Sequence, residues 1–211
     1  GVGNGKNITI TGGTVNATCT DGGAGIGGGE YYSGENITIT GGTVTAKGRL
    51  GGAGIGGGEQ GNGEDITITD GTVNAAGAYG GAGIGGGLNG IGSKVTVSGA
   101  AQVTAIAGKP GWNGNGYGAG ATIGDGSKRT YENGVYTYSD GKEIQADIDG
   151  LTTGYIHHII YEQDGTTIKR EWWEPERPQP KPESPQPNPE DPNAPAEESN
   201  EVNLGTPGLH V

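Results

Sequence analysis

The sequence predicts an all-β protein. Residues 1–126 read as a parallel β-helix (solenoid) of about four 29-residue coils, residues 127–173 as a β-hairpin cap or small antiparallel β-module, and residues 174–211 as a Pro-rich, acidic, extended tail. Three observations predict this. A block of β-branched residues recurs every 29 positions, apolar and polar residues alternate inside each block, and glycine clusters separate one block from the next.

The period sets the architecture. Asn7-Ile8-Thr9-Ile10-Thr11-Gly12-Gly13-Thr14-Val15-Asn16-Ala17 returns with small changes from Asn36 to Ala46 and again from Asp65 to Ala75. A shorter copy runs from Lys94 to Gly99. A second block, Gly23-Ala24-Gly25-Ile26-Gly27-Gly28-Gly29, returns at Gly52–Gly58 and Gly81–Gly87. A late echo, Gly118–Gly124, follows an insertion that carries Trp112 and Tyr117. One copy cannot bury its own apolar side. Copies stacked at about 4.8 Å per coil can, with Ile over Ile and Thr over Thr.

Alternation assigns the sides. Ile8 and Ile10 face one way, Thr9 and Thr11 the other; after the Gly-Gly corner, Val15 and Ala17 face inward and Thr14 and Asn16 outward. The glycine block reads as a tight corner plus a thin strand anchored only by Ile. A phosphate-cradling loop would need a following helix, and the sequence offers none. Collagen is excluded because the glycines are clustered and Pro110 is the only proline before residue 175.

Composition bounds the partners. Of 49 glycines, 42 lie in residues 1–126, so the core is thin and rests on stacked backbone hydrogen bonds. The net charge is −12 with no basic stripe, which argues against nucleic acid and against docking on anionic lipid. No apolar run is long enough to span a bilayer, so no membrane insertion is expected. The single Cys19 allows no disulfide within the chain and reads as a small buried or turn residue. A chain without methionine is expected to be a processed product or a piece of a larger protein.

Beyond the coils, Tyr155–Tyr161 and Thr166–Trp172 flank Asp164-Gly165 as the two arms of a hairpin would. His157 and His158 are adjacent on that strand, so they point to opposite faces and cannot share a metal there. Nine of the eleven prolines fall in residues 174–200, the composition of an extended spacer.

Candidate sites come from the columns. Thr9, Thr38, Thr67 and Thr96 form a flat hydroxyl ladder beside Thr11, Thr40, Thr69 and Ser98, with Tyr31, Tyr32, Tyr79 and Trp112 as flanking aromatics. Such an array can lie along a polysaccharide or host glycan; it is equally what a solvated strand would carry. A similar Thr array marks the ice-binding face of insect antifreeze β-helices, although those use short disulfide-tightened coils. Stacking also sets Glu30 over Glu59 and Glu35 over Glu64, columns that suit either solvated turns or a hard cation such as calcium. No cofactor is otherwise implied. A polysaccharide lyase or hydrolase would need converging carboxylates or a base beside a bound uronate, and Lys6, Lys47, Arg49, Lys94 and Lys109 are scattered, so no catalytic residue is assigned and the protein is read as non-catalytic.

The pairing of Ile-Thr-Ile-Thr-Gly-Gly-Thr-Val with Gly-Ala-Gly-Ile-Gly-Gly-Gly resembles Gly-rich repeats in large surface proteins of Gram-positive gut bacteria. It is also similar to bacterial β-helix carbohydrate-binding proteins with Thr-Ile-Ser-Gly-Gly-type strands. The resemblance covers residues 1–126. It implies a secreted or cell-surface adhesin-like role in a bacterium, with acidic-polysaccharide binding helped by calcium. A purely structural stalk within a larger surface protein is the alternative.

Overall fold

The computed structural model describes residues 3–111 and 117–176. The first coil contains β1 (Gly5–Ile10), β2 (Thr14–Thr18) and β3 (Ile26–Gly27). In the second coil, β4 (Gly34–Lys47) runs unbroken through the Gly-Gly corner and is followed by β5 (Ile55–Gly56); the third repeats this with β6 (Gly63–Ala76) and β7 (Ile84–Gly85). The fourth holds β8 (Gly92–Val97), β9 (Gln102–Ile106) and β10 (Ile123–Gly124). Then come β11 (Lys128–Glu132), β12 (Val135–Ser139), β13 (Tyr155–Tyr161) and β14 (Ile168–Glu174).

Successive coils pair in parallel with equivalent residues opposed: Ile8, Ile37, Ile66 and Val95 in one column, Val15, Val44, Val73 and Val103 in another. Each coil therefore has three sides. Two belong to one eight-stranded sheet bent at the Gly-Gly corner, and the third is the four-stranded sheet β10-β7-β5-β3. The bend needs φ of 80° at Gly13, 93° at Gly42 and 90° at Gly71, which is glycine territory. In the fourth coil the thin strand arrives 39 residues after its predecessor, yet Ile123 still pairs with Ile84. The extra residues fall between β9 and β10 in the chain and leave the Ile column intact.

The thin sheet explains the glycine blocks. Gly27, Gly56, Gly85 and Gly124 have φ between 130° and 138°, and a Cβ on Gly56 would lie 2.1 Å from the carbonyl oxygen of Gly85. With no side chains on that side, the wall closes directly onto the Ile columns. Ile37, Ile39, Ile55, Ile66, Ile68 and Ile84 are fully buried. At about 25 cal/mol per Å² of apolar surface removed from water, such columns hold the thin coils together without any large aromatic centre.

The two ends differ. In the first coil Ile8, Ile10, Val15 and Ala17 are only partly buried. Over the fourth coil the chain closes the end: Asp147 bridges Thr96, Leu151 bridges Gly99, and β13 pairs in parallel with β9. Ile144, Ala146, Ile148 and Leu151 pack against the core from that end. β14 then pairs antiparallel with β13, and β11 and β12 form a separate two-stranded hairpin turning at Asn133-Gly134.

Candidate functional site

The hydroxyl ladder forms in register, with Thr9 against Thr38, Thr38 against Thr67 and Thr67 against Thr96. Its companion does not extend as a simple column. The β4–β6 register shifts at the bend, so Thr40 lies opposite Asp70 and not Thr69. The physical cause is the corner itself, where the backbone turns between Ile39 and Thr43 and pairing slips by a residue.

The aromatics expected beside the ladder are dispersed. Tyr31 and Tyr32 are exposed at the corner between the thin sheet and the ladder side. Tyr79 sits at the corner after β6, which faces away from that side, and the Lys109 ammonium lies 5.8 Å from its ring centre. Trp112 lies outside the described residues.

The carboxylate columns also form, as pairs. Glu35 lies opposite Glu64, and Lys6 binds Glu35 at 2.8 Å. At the neighbouring corner burial pushes the Glu59 carboxyl up, the Arg129 charge opposes this, and Glu30 adds to it. The Glu30 carboxylate, in turn, raises the Tyr31 phenol by hydrogen bonding to it. Among the described residues no three His, Cys, Asp or Glu side chains converge as a metal site.

The most regular polar surface lies on the other half of the bent sheet. There Asn16, Thr45, Asn74 and Thr104 stack outward, and the column continues onto His157. Beside it Thr14, Thr43, Thr72 and Gln102 stack and continue onto Tyr155. Both columns end on an aromatic cluster: the His157 ring stacks on Trp173 at 3.8 Å, and Tyr155 meets Trp173 edge-on at 5.1 Å. The Glu171 carboxylate bonds Nε2 of His157 at 2.5 Å. Sequence reasoning missed this surface because β13 is 29-fold periodic with nothing. Its only signal was the strand pattern of Tyr155–Tyr161.

On the inward face of the same strand, His158 takes the position that Ala17, Ala46, Ala75 and Ala105 hold in the coils. It is 3% exposed. Its Nδ1 lies 2.7 Å from the Thr122 hydroxyl, which lies 2.8 Å from Oε2 of Glu143. Glu143 also accepts the N–H groups of Thr122 and Ile123, at 2.7 and 3.1 Å. Burial lowers the His158 pKa to about 4, with His157 and Arg170 adding in the same direction. Burial pushes the Glu143 carboxyl up, against the pull of its hydrogen bonds. The ring stacks on Trp172 at 4.4 Å, and the Arg170 guanidinium lies 4.2 Å from the centre of the Trp172 ring. A cleft of about 230 Å³ opens here, lined by Glu143, Gln145, His158, Arg170, Trp172 and Glu174.

No curated protein and no solved structure matches this chain. Residues 8–30, 37–59 and 66–88 do match the beta helix repeat family, each stretch spanning one coil from its first Ile to the corner after the thin strand.

Proposed function

We propose that the protein is a non-catalytic scaffold, secreted or displayed on a bacterial surface, that binds polysaccharide or host glycan along the outer side of its solenoid. One observation carries the reading: the parallel outward columns Asn16-Thr45-Asn74-Thr104 and Thr14-Thr43-Thr72-Gln102 run onto the Tyr155, His157 and Trp173 cluster. Hydroxyls and amides repeated at strand spacing of about 4.8 Å suit a repeating polymer better than a compact molecule. An aromatic group at the end of such a track can stack on a sugar face, with its apolar body in contact and its polar edge wet. The Thr9, Thr38, Thr67 and Thr96 ladder on the adjoining side offers a second, narrower track.

A glycan array and a polygalacturonate pull-down, each with and without calcium, test the reading. Binding weakened by Thr45→Ala plus Asn74→Ala assigns the track to the aromatic-ended columns. Binding weakened instead by Thr38→Ala plus Thr67→Ala assigns it to the other ladder. Silence across a broad panel favours a structural stalk, whose coils set length alone.

A further inference from the structure

We propose that the open end of the solenoid is a self-association surface, on which a second copy of this chain sits head to head through its own first coil. The starting observation is a core that stops short. Ile37, Ile39, Val44 and Ala46 are fully buried between two coils, whereas their first-coil counterparts Ile8, Ile10, Val15 and Ala17 are only partly buried. Among the described residues β1, β2 and β3 each pair with one strand only, so their outer edges offer backbone N–H and C=O groups for pairing. A hollow of about 230 Å³, lined by Gly3, Asn4, Cys19, Ala24 and the glycines of the thin strand, opens the interior at the same end.

The opposite end of another copy does not supply the cover. Over the fourth coil the Asp147 and Leu151 bridges and β13 already occupy that edge, so copies do not stack head to tail. Two first coils meet about a two-fold axis, where one patch must fit itself. The first coil has that property. Its inward residues are placed symmetrically about the Gly12-Gly13 bend: Ile10 and Val15 are equally far from it, and so are Ile8 and Ala17. Counting half a repeat on from the bend reaches Gly27, so an axis through the bend leaves through the thin strand β3. That axis exchanges the two long sides of the coil and lays β1 antiparallel to β2 of the second copy.

In an antiparallel pair, directly opposed residues point to the same face of the sheet. Ile8 therefore sits over Ala17 of the second copy and Ile10 over its Val15, a larger residue against a smaller one each time. Both pairs face the shared interior. Thr9 over Asn16 and Thr11 over Thr14 face solvent. A slip of one residue sets inward side chains against outward ones, which fixes the register. Charge agrees with it. Lys6 and Asp21 are the charged residues of stretch 3–29, and both are exposed. Lys6 lands opposite Cys19 of the second copy and diagonal to its Asp21, a separation of roughly 7–8 Å that a lysine side chain spans. The two-fold makes this contact twice, and no like charges oppose each other. Both sheets of the solenoid thus continue across the interface, which extends the contact its coils already make with one another.

The test measures the mass of the full chain by sedimentation across a concentration series. The expected result is a dimer that dissociates on dilution. Val15→Lys, on the open end, should weaken it at least tenfold with an unchanged circular dichroism spectrum, while Ile168→Lys, on β14 at the other free edge of the sheet, should leave it intact. A second variant leaves the core alone: Thr9→Cys with Asn16→Cys, in a Cys19→Ser background, should give a covalent dimer on a non-reducing gel, and either new cysteine alone should not. Three results would overturn the proposal. One is a monomer at millimolar concentration; if that monomer gains melting temperature from a copy of residues 34–62 placed directly ahead of Gly5, the end takes a further coil of its own chain instead. The others are a dimer that Ile168→Lys dissociates and Val15→Lys does not, and a covalent dimer formed as readily by Thr9→Cys alone.

Discussion

The repeating coils and the segment that closes them follow opposite rules. In the coils, away from the bend, residues lie on their own equivalents, so Ala17, Ala46, Ala75 and Ala105 make one column and nothing in that column does chemistry. At the closure the same column receives His158, with Trp172 beside it and Glu143 held across the end by Thr122 and Ile123. Repetition constrains the coil interior to small and β-branched side chains, because a larger group at one level must be matched at the next. The last level has no successor. Bulk, charge and an unpartnered ring nitrogen can therefore be placed there, and the candidate chemistry of this molecule collects where the period stops.

The strongest way to break the contrast is to add one carbon inside the thin wall. Gly56→Ala places a Cβ 2.1 Å from the Gly85 carbonyl oxygen at a φ of 130°, so both neighbouring coils must shift. A loss above about 4 kcal/mol, or failure to fold, is expected in urea denaturation. Gly12→Ala is the control, since its Cβ would meet nothing within 4 Å and its stability should hold. Equal effects at the two positions would show that the wall is not close-packed as described. Next in size is Ile66→Ala, which empties a fully buried site in the middle of a column and should cost about 2–5 kcal/mol.

Legibility divided along the same line. The 29-residue period, the inward Ile and Val columns, the thin Ile-Gly strands and the hairpin at Asp164-Gly165 could all be read from residues, because each is a local pattern repeated or bounded by a turn. The Thr9 to Thr96 ladder was legible for the same reason. The slip that sets Thr40 against Asp70 was not, since it arises from backbone geometry at a bend. Nor was the distance of Tyr79 from the ladder, which depends on which corner of the coil it occupies. The surroundings of His158 were hidden for a third reason: Thr122, Glu143 and Trp172 reach it from three separate segments, and no spacing in the chain links them.

The closure also predicts an acid response that the coils lack. His158 falls from an ordinary pKa of 6.5 to about 4 in the folded chain, chiefly through burial. The native state therefore binds fewer protons than the unfolded state between these values, and stability rises with pH across that window. The contribution is whole above about pH 6.5, shrinks as pH falls toward 4, and amounts to about 3 kcal/mol. Glu143 acts in the reverse sense, since burial raises its carboxyl and the native state takes up that proton earlier; Glu174 and Arg170 also face the ring. Denaturation from pH 7 to 4 should show the loss in the wild type and a flatter curve in His158→Asn. Parallel curves for the two proteins would place the acid response elsewhere.

The smallest stability change is expected on the outer track, and there the value lies in separating folding from binding. Asn74 is exposed on the middle coil, between Thr45 and Thr104, and its neighbours in the column already alternate between Asn and Thr. A surface position that accepts two polar residue types has little packing to lose, so Asn74→Ala should move stability by no more than about 0.5 kcal/mol. If the column is a track for a polymer, the same change removes an amide from the centre of the contact, and retention on a glycan column should fall several-fold at unchanged melting temperature. Tyr155→Ala, at the aromatic end, should reduce retention further, because it removes stacking area rather than one hydrogen bond. A ligand held equally by both variants would have to lie on the Thr38 and Thr67 side, and the glycan reading would then rest on the ladder that lacks the aromatic terminus.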